Sequence, residues 1–251
     1  MQRCKIGILD VKEPSRGGLG ASDRDTLEEI VEVVRGSKRQ FDLSFSAGEL
    51  GQWRPSLDEA SGEAGVELTR RRSLVEYYGP ELLAQYRFVK VGLAGVVAKS
   101  GFSEGPEKIG LDWQNAWREL FVGLPEPTRP VAVSYLDYRG CDAPSPDMIL
   151  QLAAEAKDCE VVLFDTCHKS GNLFSHVSIS ELNELVQRTR SLGLIPVVAG
   201  SVCLNCLSGV VFSRPGFVGV RGAVCRGDRV GKIALQLVEE FVSKLDAVVG
   251  N

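Results

Sequence analysis

Five charged residues stand in places where charge is costly. Asp10 and Lys12 lie two residues apart in the apolar run KIGILDVK, and Lys90 sits between Val89 and Val91 in FVKVGL. Asp165 closes VVLFD, with Lys169 four residues later in DTCHKSG. A lysine is protonated at neutral pH, with a reference pKa of about 10.4. Desolvation and neighbouring cations disfavour that charge and free the amine as a nucleophile. Such an amine attacks a carbonyl to form a Schiff base. A second lysine can lower the first one's pKa and move protons, while aspartates orient amines or shuttle protons during carbon–carbon bond formation and dehydration. This is the chemistry of a class I aldolase. One Lys–Asp pair in a strand fits a structural ion pair equally well, but three lysines at strand ends favour chemistry. His168 and His176 are the only histidines and form no HxH or HExxH arrangement, which argues against zinc.

Strands and helices alternate along the chain to hold these groups. Strand-like runs are KIGILDVK, FDLSFSAG, FVKVGLAG, PVAVSYLD, VVLFDTC, IPVVAGS and FVGVRGA. Between them the periodicity predicts helices at DRDTLEEIVEVVRG, DWQNAWRELFVGL, SPDMILQLAAEAKD, SISELNELVQRTRSLG and the C-terminal VGKIALQLVEEFVSKLDAVV. Ser145 before Pro146 is an expected N-cap, and Ser178 with Glu181 an expected capping box. In the first strand Ile6, Ile8, Asp10 and Lys12 share one face and Gly7, Leu9 and Val11 the other, so apolar residues on both faces predict a strand buried on both sides. The alternation predicts an α/β protein with a parallel sheet. No GxGxxG follows the first strand, so a (β/α)8 barrel fits better than a nucleotide-binding doubly wound sheet. Such a barrel needs eight units, and one is missing here. No linker divides residues 1–251, which read as a single domain. Barrel active sites gather at the C-terminal ends of the strands, where Asp10, Lys12, Lys90, Asp165 and Lys169 are expected.

Later loops have the composition of anion sites. VVAGSV places Gly200 and Ser201 after one strand, and GVRGAVCRGDR places Arg221 and Gly222 after the next. Loops after the last barrel strands often bind phosphate, because glycine lets backbone N–H groups approach the oxyanion. SRGGLG could cradle a second anion through Arg16 and its glycines, Gly18 among them. Gly-rich turns also simply close barrels. With a Schiff-base lysine, these loops point to phosphorylated aldehydes or ketones.

Composition narrows the class. The 251 residues are 44% hydrophobic and 25% charged with net charge −4, as in ordinary globular chains. That mild acidity does not suggest a nucleic-acid surface. No run of about 18 apolar residues and no signal peptide is visible, so neither membrane nor export is expected. Seven scattered cysteines fit reduced thiols in the cytoplasm, and the lone CxxC of Cys203 and Cys206 has no second pair to make a metal site. The Arg70–Arg72 run reads as a solvated helix face.

The segments DVKEPSRGGLGA, FVKVGLAG, FDTCHKSGNLF, VAGSV and FVGVRGAVC resemble, in order, those of the (5-formylfuran-3-yl)methyl phosphate synthase family, also called the 4-(hydroxymethyl)-2-furancarboxaldehyde-phosphate synthases. The resemblance runs through nearly the whole chain. It implies a (β/α)8 barrel and a lyase that condenses two glyceraldehyde 3-phosphate molecules, losing phosphate and water, on the way to methanofuran. It further implies Lys12 as the Schiff-base lysine with Asp10 as partner, Lys90 as proton acceptor, and Asp165 and Lys169 as the pair of the DTxxK motif. No metal or organic cofactor is implied. The family has a strand and helix ahead of the DVK motif, so the expectation is that the first βα unit is absent through a start placed too far downstream or a truncation. Open strand edges could then pair with a second copy. Another class I aldolase acting on a phosphorylated sugar, or an inactive barrel kept for binding, would share these features.

Overall fold

The computed structural model describes residues 6–37, 41–53, 73–97 and 107–250, with the main chain alone over 107–112. The Arg70–Arg72 run lies outside the described residues. Seven strands follow one another across one sheet in chain order: β1 (Ile8–Val11), β2 (Asp42–Glu49), β3 (Phe88–Gly92), β4 (Arg129–Tyr135), β5 (Val161–Asp165), β6 (Ile195–Val198) and β7 (Phe217–Val218). β1 with β2, β2 with β3, β3 with β4, β5 with β6 and β6 with β7 run parallel. Parallel neighbours need long crossovers. Among the described residues these carry helices α1 (Arg24–Arg35), α2 (Leu74–Tyr78), α3 (Pro80–Leu83), α4 (Glu107–Leu120), α5 (Pro146–Glu155), α6 (Ile179–Ser191) and α7 (Leu207–Ser213), and α8 (Leu235–Val249) follows β7. The result is an α/β fold with a parallel sheet. No helix among the described residues is long and apolar enough to cross a membrane.

Packing divides the chain into an N-terminal unit, Ile8–Val131 with Asp142–Pro144, and a C-terminal unit, Ala132–Cys141 and Ser145–Asn251 with the first residues of the chain. In the N-terminal unit, α1 buries Leu27 and Val31, one turn apart, and leaves its charged positions outside. Phe45 of β2 meets Tyr78 and Tyr86 edge-on at 5.0 and 4.9 Å. The Tyr86 hydroxyl donates to Leu27 O at 2.8 Å, so this buried ring keeps its polar tip satisfied. In the C-terminal unit, β5 is buried throughout, and α6 packs Leu182 and Val186 inward. The capping box forms there as expected: Ser178 caps the Glu181 amide and the Glu181 carboxylate returns to Ser178.

Several local expectations change. β1 is only half-buried, with Asp10 exposed, because as an edge strand it is hydrogen-bonded, among the described strands, to β2 alone. Ser145 holds the N-cap position of α5 but its side chain makes no capping bond. The last helix begins at Leu235 rather than Val230. The preceding residues fold back instead, with Arg226 N donating to Lys232 O at 3.0 Å and Ala234 N to Val224 O at 2.9 Å. The last strand run shrinks to two residues at glycine-rich sequence. α7 is a helix the periodicity missed, because Gly209, Val210 and Val211 are poor helix formers that tertiary burial overrides.

Candidate active site

Sheet register builds one cluster of candidate residues, within the N-terminal unit. Asp10 lies beside Ser44, and Ser46 beside Lys90. Residues two apart on a strand share a face, so Asp10, Ser44, Ser46 and Lys90 project from the same side of the sheet. Lys12 is the first residue past β1 and is half-buried. The Lys90 side chain is 5% exposed, and its ammonium is paired with the Asp10 carboxylate, itself 37% exposed. A second bond runs from Lys90 Nζ to Ser44 Oγ at 3.1 Å. Burying an ammonium costs several kcal/mol unless it is paired, and this geometry supplies the pair. Ser46 Oγ beside it is buried with no hydrogen-bond partner among the described residues. At the end of β2 the Glu49 carboxylate accepts from Ala94 N at 2.9 Å, placing another acid at this edge.

The loop after β1 closes on itself. Glu13 N donates to Gly20 O at 3.0 Å, and a Cβ at Gly20 would lie 2.0 Å from Glu13 O, so only glycine permits this approach. Arg16 grips Asp23 with both terminal nitrogens, at 2.7 and 3.2 Å, and donates to Ala21 O at 3.1 Å. Hydrogen bonding to Asp23 raises its pKa further. These bonds tie the half-exposed guanidinium to its own loop, and Gly18 is half-buried in the same turn.

A second cluster lies in the C-terminal unit. Asp165 ends β5 with its side chain 3% exposed, and Lys169 Nζ reaches its Oδ1 at 2.7 Å. The ammonium also donates to Thr166 O, and Thr166 N donates to Asp165 Oδ1 at 2.7 Å. Gly200, at φ +85°, presses against this pair: a Cβ there would come within 2.5 Å of Thr166 N and 3.0 Å of Asp165 Oδ1. Gly200→Ala is therefore expected to cost about 2–4 kcal/mol through strain and overpacking, read as a lower urea midpoint. An unchanged midpoint would mean that the loop does not rest on Asp165.

Ser201 follows in the left-handed region, at φ +52°. Arg221 donates from Nε to Arg229 O at 2.7 Å and meets no carboxylate among the described residues, and Gly222 opens a short helical turn. Cys203 and Cys206 place their sulfurs 3.0 Å apart. Asp137, absent from the sequence reading, accepts from the amides of Cys167 and His168 at 2.7 and 2.8 Å. Burial would raise its pKa, but these backbone donors outweigh burial and hold the carboxyl below the ordinary range. A hollow of about 400 Å³ opens beside it, walled in part by Arg139, His168 and His176.

The structure thus joins Asp10 to Lys90 and Asp165 to Lys169, and rests Gly200 on the second pair. Ser44, Ser46, Glu49 and Asp137 were missed, since serines and single acids carry no motif. The only available signal was the alternation of Ser44 and Ser46 with apolar residues in β2.

Residues 1–242 match the sequence profile of the 4-HFC-P synthase family. The (5-formylfuran-3-yl)methyl phosphate synthase of Archaeoglobus fulgidus is 28% identical over 251 aligned positions, covering 97% of this chain and 91% of that protein. The synthase of the same name from Methanosarcina acetivorans is 30% identical, covering 94% and 89%. That of Methanopyrus kandleri is 31% identical, covering 95% and 90%.

Proposed function

The chain belongs to the 4-HFC-P synthase family, and from that premise we propose that it is a lyase making (5-formylfuran-3-yl)methyl phosphate for methanofuran biosynthesis. Two molecules of glyceraldehyde 3-phosphate condense with loss of phosphate and water. The observation that carries this reading is the buried Lys90, paired with Asp10 at the strand ends where the DVK and VKVG motifs meet. Lys12 attacks the carbonyl of one triose phosphate and forms an imine. Lys90 takes up and relays the proton whose loss makes the enamine nucleophile, and Asp10 balances its charge. Attack on the second triose forms the carbon–carbon bond. Phosphate elimination, cyclisation and dehydration follow, with Asp165 and Lys169 carrying protons. Ser201, Gly200, Arg221 and Gly222 are assigned to one phosphate, and the Arg16 and Gly18 loop to another. The seven strands are read as units of a (β/α)8 barrel.

The test incubates the purified chain with glyceraldehyde 3-phosphate and follows inorganic phosphate together with the furan aldehyde by mass spectrometry. One phosphate released per furan is expected. An aldol product that keeps both phosphates would assign the lysines to a different class I aldolase, and no turnover would overturn the reading.

A further inference from the structure

Lys169 belongs to no helix or strand. Its ammonium nonetheless meets three atoms of the preceding residues: Asp165 Oδ1 at 2.7 Å, Thr166 Oγ1 at 3.4 Å, and Thr166 O. A side chain can be held so only if the intervening main chain has one shape. Asp165 is anchored in β5, but Cys167 and His168 lie in irregular backbone, where a loop ordinarily samples several conformations. The carboxylate of Asp137, two residues past β4, reaches this segment from a neighbouring loop. Each of its oxygens takes one amide, Cys167 N at 2.7 Å and His168 N at 2.8 Å. Oδ2 also lies 3.1 Å from His168 Nδ1. The Asp137 side chain is 9% exposed, so little water competes for these bonds. Its own loop is tied back as well, through Leu136 N to Asp165 O at 2.8 Å and Gly140 N to Asp137 O at 2.8 Å.

We propose that Asp137 is a positioning residue, whose carboxylate clamps the backbone of Cys167 and His168 and so holds Lys169 against Asp165. The assignment of Lys169 to the reaction rests on the synthase reading; the clamp does not. Two charge-assisted bonds to consecutive amides fix a peptide plane better than any neutral side chain at this position would. Asparagine has nearly the same volume but only one accepting oxygen, and it turns an NH2 group against the other amide.

The experiment compares the native chain with Asp137→Asn by amide hydrogen exchange and by lysine acetylation, both read by peptide mass spectrometry. Exchange at Cys167 and His168 is expected to quicken at least about tenfold on losing one charged bond. Acetylation of Lys169 should rise by a similar factor relative to Lys157 and Lys244, which are exposed and serve as internal references. Unchanged exchange and unchanged Lys169 labelling would overturn the clamp, whatever the activity. If furan is formed, kcat should fall about tenfold with KM little altered, and Asp137→Asn should add no further loss in a Lys169→Ala background. Full additivity would overturn action through Lys169. If no furan forms but both labelling signals move, the clamp stands and the synthase reading falls. Should Asp137→Asn fail to fold, the native chain decides, because its Cys167 and His168 amides must exchange far more slowly than those of Ser170 and Gly171. Equal rates would overturn the proposal.

Discussion

Replacing Lys12 by alanine is expected to abolish covalent capture of substrate. With glyceraldehyde 3-phosphate and borohydride, the native chain should gain one reduced triose adduct, on the peptide containing Lys12, and Lys12→Ala should gain none. Turnover should drop by at least about 10⁴-fold, the scale seen when a catalytic nucleophile is removed. Lys12→Arg should be equally inactive although it keeps the positive charge, because a guanidinium stays protonated and cannot attack a carbonyl. An adduct that persists in Lys12→Ala and moves to Lys90 would reverse the roles of the two lysines. In the structure, Lys90 Nζ is already engaged by Asp10 and Ser44.

Removing Asp10 is expected to produce the largest change in stability. Asp10→Ala leaves the Lys90 ammonium, with its side chain 5% exposed, facing the Ser44 hydroxyl as its one remaining partner among the described residues. Breaking a buried pair on one side typically costs about 3–5 kcal/mol. Water access to Asp10 places the expected loss near the lower end, about 3 kcal/mol at pH 7, read from urea unfolding. Lys90→Met removes the charge and fills the same space, so in the Asp10→Ala background it should restore most of the loss. A double variant no more stable than Asp10→Ala alone would show that the penalty does not come from the uncompensated ammonium. The turnover of both should be lost, which separates the stability role of the pair from its chemical one.

These two experiments bear on residues that the sequence marks out as charges in or beside apolar runs. Asp10, Lys12, Lys90, Asp165 and Lys169 stand out in the sequence because charge in or beside an apolar run is costly unless it is paired or used. The parallel α/β fold was visible for a related reason: alternating periods of two and 3.6 residues dictate which faces are buried. The capping box at Ser178 was visible too, since its bonds span only three residues. Where expectations changed, as at the start of the last helix and in the burial of β1, the cause was a partner distant in sequence, or the lack of one.

Tertiary structure alone decided which charge meets which. Lys90 and Asp10 are 80 residues apart, and they meet because parallel register sets Asp10 beside Ser44 and Ser46 beside Lys90. Asp165 and Lys169 are neighbours in sequence, yet the loop between them takes its shape from the Asp137 carboxylate 30 residues earlier. The strong close approach of Gly200 to Thr166 likewise joins the ends of two strands that periodicity treats as separate. Residue type and spacing determined what chemistry the chain can perform, because they set charge, nucleophilicity and the face each side chain occupies. Register and loop contacts determined which groups act together, because a hydrogen bond depends on tenths of an ångström that no local pattern encodes.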